Sequence, residues 1–207
     1  MATENAVYHY LDIGRLGRGG VLVLFLKDAG IDYKEVLYKV DATWPENKQK
    51  LREKGITRTG QLPALEYDGH TFSQHIPILR YFARKLGRYD GETNWEKYLV
   101  DAVADIYIDW RAEWVAAATK GEQHKNEYVE KHVPHFYEVV GQYYNDNPGP
   151  YLLGDKITYA DFAVYHLLDN DRRIGVRPDS VPESLVRLEE AIEARPNLAE
   201  FIKQGKQ

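Results

Sequence analysis

The sequence predicts a small α/β unit followed by an all-helical one. Three observations carry that fold class. Residues 6 to 86 read in the order strand, helix, strand, hairpin, helix; no convincing strand follows residue 95; and between them LGRYDGET has two glycines and no apolar stripe. The expected division is therefore an α/β domain over 1–86, a linker over 87–94 and a helical domain over 95–207.

Each element rests on its own pattern. AVYHYL, from Ala6 to Leu11, is a short strand. After the glycine-rich DIGRLGRGG, the run VLVLFLKDA reads as a helix closing at Gly30, the residue type that most easily takes the left-handed backbone at a helix end. IDYKEVLYKV alternates as a second strand, and LPALEY and HTFS flank Asp68-Gly69, a strong hairpin signal. In SQHIPILRYFARKLG, Ile78, Leu79, Phe82 and Leu86 recur at helical spacing, with Ser73 as the expected N-cap. Beyond the linker, Trp95–Thr119, Asn126–Tyr144, Tyr159–Leu168 and Val181–Ala194 have helical periodicity. Within ITYADF, Thr158 can cap a helix and Asp161, three residues on, can return the bond.

Composition narrows the function. The longest apolar run, Val21 to Leu26, is far short of the roughly 20 residues that span a bilayer, and the opening MATENAV lacks the apolar stretch of a signal peptide. A cytoplasmic protein with no membrane partner is expected. A net charge of −5 with interspersed signs argues against a nucleic-acid partner, which would need a basic face. The cysteine count is zero, so any thiol chemistry uses a thiol supplied by another molecule.

Among candidate motifs, the glycines at 14, 17, 19 and 20 fit neither the dinucleotide fingerprint nor the nucleotide loop. Arg15 and Arg18 set positive charge near a helix N-terminus, where an anion is already favoured. His124, His132 and His135 lack a convincing further ligand, so no metal is expected. Asp101, Asp105 and Asp109 lie at four-residue spacing along one helix face, a solvated face or one wall of a cleft. Sixteen tyrosines make any one of them ordinary, but Tyr10 ends the first strand, at the carboxyl edge where α/β sheets meet ligands.

Assembled, these motifs resemble a cytosolic glutathione transferase over nearly the whole chain, with a thioredoxin-like first domain and a helical second one. YLDIGRLGR is similar to the mu-class segment Tyr-Trp-Asp-Ile-Arg-Gly-Leu, whereas WPENK, GQLPALEYDGHTF and YLLGDKITYADF resemble the sigma class more. The resemblance implies that Tyr10 is the catalytic tyrosine, assisted by Arg18. It implies a glutathione site of Trp44 and Lys48 at the glycine carboxylate, Gln61 and Leu62 before a cis Pro63 at the cysteinyl amide, and Gln74 with the amide of His75 at the γ-glutamyl carboxylate. It brings Asp109 across from a second subunit, so a homodimer is expected, and it makes Leu16, Arg111 and Trp114 walls of a second pocket for a small hydrophobic electrophile.

The chemistry agrees with this assignment. A free thiol of pKa near 8.5 is only about 3% ionised at neutral pH, and lowering it by about two units requires about 2.7 kcal/mol. One hydrogen bond to a charged group supplies about 1.5–3 kcal/mol, so the Tyr10 hydroxyl could do most of this, Arg18 adding its field. Three features depart from the pattern: a loop two residues longer between Tyr10 and Tyr33, which makes Tyr8 a rival for the hydroxyl role; a longer segment QKLREKGITRT before Gln61; and His75 where the family has serine. They leave open a non-catalytic binding or regulatory member of the fold, and sequence does not separate conjugation from glutathione-dependent isomerase or peroxidase chemistry.

Overall fold

A computed structural model describes residues 6–205 of the chain. The chain divides after Phe82 into two compact units, a boundary that falls inside a helix.

The first unit is built on a four-stranded mixed sheet of order β2-β1-β3-β4. Strand β1 (Ala6–Leu11) runs into helix α1 (Gly17–Ala29), which returns the chain so that β2 (Tyr33–Tyr38) pairs with β1 in parallel, Tyr10 opposite Leu37 and Leu11 opposite Tyr38. Helix α2 (Trp44–Glu53) follows, then the hairpin of β3 (Ala64–Tyr67) and β4 (His70–Ser73), with β3 antiparallel to β1. Helix α3 (His75–Leu86) closes the series. Gly30 caps α1 at φ 71°, as the C-terminal signal requires. The apolar residues Val21, Leu22, Phe25 and Leu26 of α1, with Ile78, Leu79 and Phe82 of α3, are buried to within 1%.

Three local readings differ. Helix α1 begins at Gly17 rather than after the glycines, which puts Gly17, Gly19 and Gly20 in its first turn and leaves Gly14 ahead of it. Helix α2 occupies what periodicity alone left as a polar connection, because it buries only Leu51 and so carries almost no apolar stripe. Ser73 is the last residue of β4, and Gln74 makes the junction to α3, its carbonyl accepting the Ile78 N–H at 3.1 Å.

In the second unit the described helices are α4 (Asn94–Thr119), α5 (Glu122–Glu127), α6 (Val133–Asn145), α7 (Tyr159–Arg173), α8 (Glu183–Glu193) and α9 (Ala199–Gln204). The single helix expected over Asn126–Tyr144 is interrupted by a π-helical turn at Tyr128–His132. Pro134 accounts for it: proline donates no N–H to the carbonyl four residues back and its ring crowds that carbonyl, so the turn ahead of it widens. The linker is anchored at Tyr89, which is buried and whose carbonyl accepts the Tyr159 N–H at 2.8 Å. No described helix is long and apolar enough to cross a membrane.

The polar core of this unit is extensive. Asp161, wholly buried at the start of α7, accepts from Thr158 N (2.6 Å), Thr158 Oγ1 (2.8 Å) and Leu152 N (2.9 Å), completing the capping box foreseen in ITYADF. Farther along α7, Asp171 accepts from the Tyr128 hydroxyl at 2.8 Å, which itself accepts from Trp110 Nε1 at 2.7 Å. Burial raises the Asp171 carboxyl from its ordinary value of 3.8 to about 7.

Candidate active site

Period-two alternation along β1 places Tyr8 and Tyr10 on one face of the sheet and His9 on the other. The two phenol rings stack, with centroids 5.9 Å apart. Room for them comes from the first turn of α1. A Cβ on Gly17 would lie 2.5 Å from the Tyr10 hydroxyl oxygen, and one on Gly19 would lie 2.5 Å from both Cδ atoms of the Tyr10 ring and collide with the Tyr8 hydroxyl. Gly17 also has φ 71°, a conformation side chains disfavour. Gly17 and Gly19 of DIGRLGRGG therefore make room for the two tyrosine rings at a helix N-terminus. Arg18 and Leu16, in the same turn, are half-buried.

The two tyrosines differ. The Tyr8 hydroxyl faces Gly19 and the residue is 2% exposed; burial, then the neighbouring Tyr10 and Glu35, push its pKa far above that of an ordinary phenol. Tyr10 is one register position nearer the carboxyl edge on the same face, with its hydroxyl beside the first residue of α1.

On the opposite face, His9 is buried, with Nδ1 3.0 Å from the Tyr38 hydroxyl and Nε2 2.7 Å from the Glu66 carboxylate. This clamp ties three strands together and fixes Tyr38, whose ring lies 6.3 Å from that of Trp44 at the start of α2. Trp44 and Lys48 thus stand beyond the carboxyl end of β2. The aliphatic stems of Lys48 and Arg52 lie against Gly60: a Cβ there, at φ 69°, would be 2.8 Å from Lys48 Cε and 3.0 Å from Arg52 Cδ. The long segment before Gln61 consequently folds back onto α2 and keeps Lys48 beside the next loop.

That loop is held by side chains. Thr57 Oγ1 donates to the Gln61 carbonyl at 3.1 Å and the Gln61 N–H donates to Thr59 Oγ1 at 3.2 Å. The Leu62–Pro63 peptide is cis, with Gln61 exposed, Leu62 half-buried and Pro63 buried at the entry to β3. Gln74 is exposed with φ 70°, and His75 after it is 3% exposed.

The residues expected on the helical side are arranged differently. Asp109 and Asp105 are exposed on α4, whereas Asp101 accepts from the Tyr159 hydroxyl. Arg111, expected as a wall of the second pocket, is 0% exposed, and its guanidinium donates to the Asn170 side chain at 2.9 Å and the Tyr107 hydroxyl at 3.3 Å and lies 3.0 Å from His166 Nδ1. It also lies 4.9 Å from the ring of Trp114, which is 4% exposed. Both sit in the interior because α4 turns that stripe toward α7. Among the described residues, no His, Cys, Asp or Glu cluster suits a metal ion.

Sequence reasoning missed Gly17, Gly19, Gly60 and the His9 clamp. The first pair had a signal, since two large rings on one strand face need small residues on whatever helix follows; the others depend on contacts distant in sequence.

Comparison with known proteins agrees with this architecture. The N-terminal domain model of the glutathione S-transferases matches residues 6–84 and the C-terminal domain model matches residues 108–205. Rabbit (Oryctolagus cuniculus) glutathione S-transferase Mu 1 is 36% identical over 155 residues, covering 72% of this chain and 69% of its own. Human (Homo sapiens) hematopoietic prostaglandin D synthase is 28% identical over 197 residues, 92% of each chain. The crystal structure of a monomeric glutathione S-transferase from the hookworm Necator americanus superposes with a TM-score of 0.78 at 26% identity, covering 97% of both chains. With two domain models accounting for most of its length and a mu-class relative above 30% identity, the chain belongs to the glutathione S-transferase family, enzymes that take glutathione as co-substrate.

Proposed function

We propose that this transferase activates glutathione by a hydrogen bond from the Tyr10 hydroxyl to the cysteinyl sulfur, for attack on small apolar electrophiles. The observation that carries the reading is the position of Tyr10: a phenol at the carboxyl end of β1, seated on Gly17 at the start of α1. An N-terminal helix turn favours negative charge, and Arg18 in that turn adds to the field. The peptide would lie with its glycine carboxylate toward Trp44 and Lys48, its cysteinyl amide on Leu62 and its γ-glutamyl end at Gln74 and the amide of His75. The role asked of His75 is that of its backbone amide, and its side chain is 3% exposed. Both tyrosines are buried, Tyr10 at 4% and Tyr8 at 2% exposed; Tyr8 is the weaker candidate because it lies farther from the carboxyl edge of β1, with its hydroxyl at Gly19 rather than at the first residue of α1.

The test is thiolate formation, followed by ultraviolet absorbance of the bound thiolate, with turnover of a general aryl halide. Tyr10→Phe is expected to raise the thiol pKa by about one to two units, the worth of one charged hydrogen bond, and to cut turnover at neutral pH by about 10-fold or more. Tyr8→Phe should change neither by more than a few-fold. If both properties survive Tyr10→Phe, the assignment is wrong.

We further propose a homodimer in which the exposed Asp109 reaches the γ-glutamyl amine of the neighbouring subunit. The monomeric hookworm relative makes sedimentation the necessary check. A second reading, a glutathione-dependent isomerase, is favoured by the human prostaglandin D synthase, and assay of an endoperoxide beside the aryl halide separates the two.

A further inference from the structure

Three cations line one groove at α2, and among the described residues none of them is in an ion pair. A groove of about 700 Å³ is lined by Pro45, Lys48, Gln49, Arg52, Glu53 and Arg58. Among the described residues no carboxylate pairs with Lys48, Arg52 or Arg58; Glu53, the one acid in the lining, accepts from Gln49 Nε2 at 2.8 Å, and the lining keeps a positive balance of three cations to one anion. Lys50 on the same helix, by contrast, reaches Glu46 at 2.6 Å.

Local structure does not explain the arrangement. Lys48 and Arg52 are four residues apart, neighbours on the helix face, where like charges repel. The helix dipole favours a cation in the last turn, which covers Arg52 but neither Lys48, a turn earlier, nor Arg58, beyond the end. Gly60 then lets the Lys48 and Arg52 stems lie side by side instead of spreading apart. A groove of about 680 Å³ in the second unit makes the contrast: it too is rich in cations, but there Arg84 pairs with Asp90 at 3.5 Å and Lys156 with Glu92 at 2.8 Å.

We propose that the α2 groove is an anion subsite that continues the glycine end of the glutathione site, and that it selects peptide thiols carrying a further carboxylate or phosphate group beyond the glycine. The inference rests on the reading that Lys48 meets the glycine carboxylate. Arg52 and Arg58 take the added anion, Arg through its planar fork, and Lys48 is shared between the two anionic groups.

Calorimetry at low salt on the full chain tests this with three probes: glutathione, γ-glutamyl-cysteinyl-glycyl-glutamate, and pyrophosphate. The wild type should bind the extended peptide about fivefold or more tighter than glutathione, a margin that shrinks in 0.5 M salt and falls to about one in the R52Q/R58Q variant. An equal affinity for the two peptides, or a margin that survives in the variant, overturns the proposal. Pyrophosphate distinguishes the source of the anion: bound by the wild type and lost in the variant without any peptide margin, it makes the groove a site for a free anion and overturns the peptide extension. If neither peptide binds, the glutathione orientation itself has failed, and absence of pyrophosphate binding then removes the anion site as well. Circular dichroism confirms that the variant, altered only at exposed positions, is folded.

Discussion

The two units treat polar side chains in opposite ways. In the helical unit several are buried and joined to one another: Arg111 with Asn170 and Tyr107, Asp161 with Thr158 and Leu152, and one oxygen of Asp171 with Tyr128 and through it Trp110. In the α/β unit the groups of the proposed site stay at the carboxyl edge of the sheet with capacity to spare, Gln61 and Gln74 exposed and Lys48 without an ion-pair partner among the described residues. Chemical type alone therefore misleads. Arg111 is the kind of residue a catalytic site uses, yet its donors are spent on architecture, and chemistry is to be sought where valence is left over.

The sharpest way to break the contrast is to remove an acceptor from the buried polar core. Asp161→Ala leaves the Leu152 and Thr158 N–H groups buried without partners, each costing about 1–3 kcal/mol, so a loss of about 3 kcal/mol or more is expected. For a chain of this size that lowers Tm by roughly 10 °C. A drop of only a degree or two in calorimetric melting would mean that water enters and the core is less closed than described. Next comes Gly19→Ala, where the new methyl meets two rigid rings rather than flexible stems. Overpacking of that sort costs about 1–3 kcal/mol, and here it should also displace Tyr10 and reduce thiolate formation. Lost stability with intact thiolate formation would separate Tyr10 from the chemistry.

Asp171 sharpens the comparison through pH. Its folded pKa, about 7, lies above the ordinary 3.8 because burial disfavours the charge, in spite of the Tyr128 hydrogen bond and the nearby Arg111. Between these values the folded chain keeps a proton that the unfolded chain has released. Stability from this group is thus intact below about pH 4, falls as pH rises to about 7 and is level above. Tyr137 and Arg177 also face the carboxyl and moderate the shift. Asp171→Asn retains an acceptor for Tyr128 but cannot ionise, so melting curves should show the wild type losing about 3 kcal/mol relative to it between pH 4.5 and 7.5. Parallel curves would rule the titration out.

How much of this was legible in sequence follows from the same contrast. Period-two and helical patterns revealed β1, the hairpin and most helices because each buries a regular apolar face, and ITYADF revealed its capping box because both partners are local. Helix α2 was hidden from periodicity by having a single buried residue, and the break at Tyr128–His132 was hidden because Pro134 perturbs the turn before itself. The proposed site residues were named through resemblance of motifs. What made room for them was not legible, since Gly19 acts on Tyr8 and Tyr10, and Gly60 on Lys48 and Arg52, across gaps that no local pattern spans.

Gly60→Ala is the smallest effect expected and the most telling about the edge of the sheet. Its φ of 69° costs a non-glycine residue about 1 kcal/mol, and the atoms a methyl would meet belong to the bendable stems of Lys48 and Arg52. Those stems can swing away, so stability should fall by no more than that, a few degrees in Tm. The swing, however, removes Lys48 from beside the Gln61–Pro63 loop. Affinity for glutathione should weaken by several-fold, the worth of one surface ion pair, while turnover of saturated enzyme stays within about twofold because Tyr10 is untouched. A variant with unchanged affinity would show that Lys48 reaches the glycine end from either position, or does not reach it at all; direct calorimetry of Lys48→Gln decides between these, since only in the first case does that substitution weaken binding.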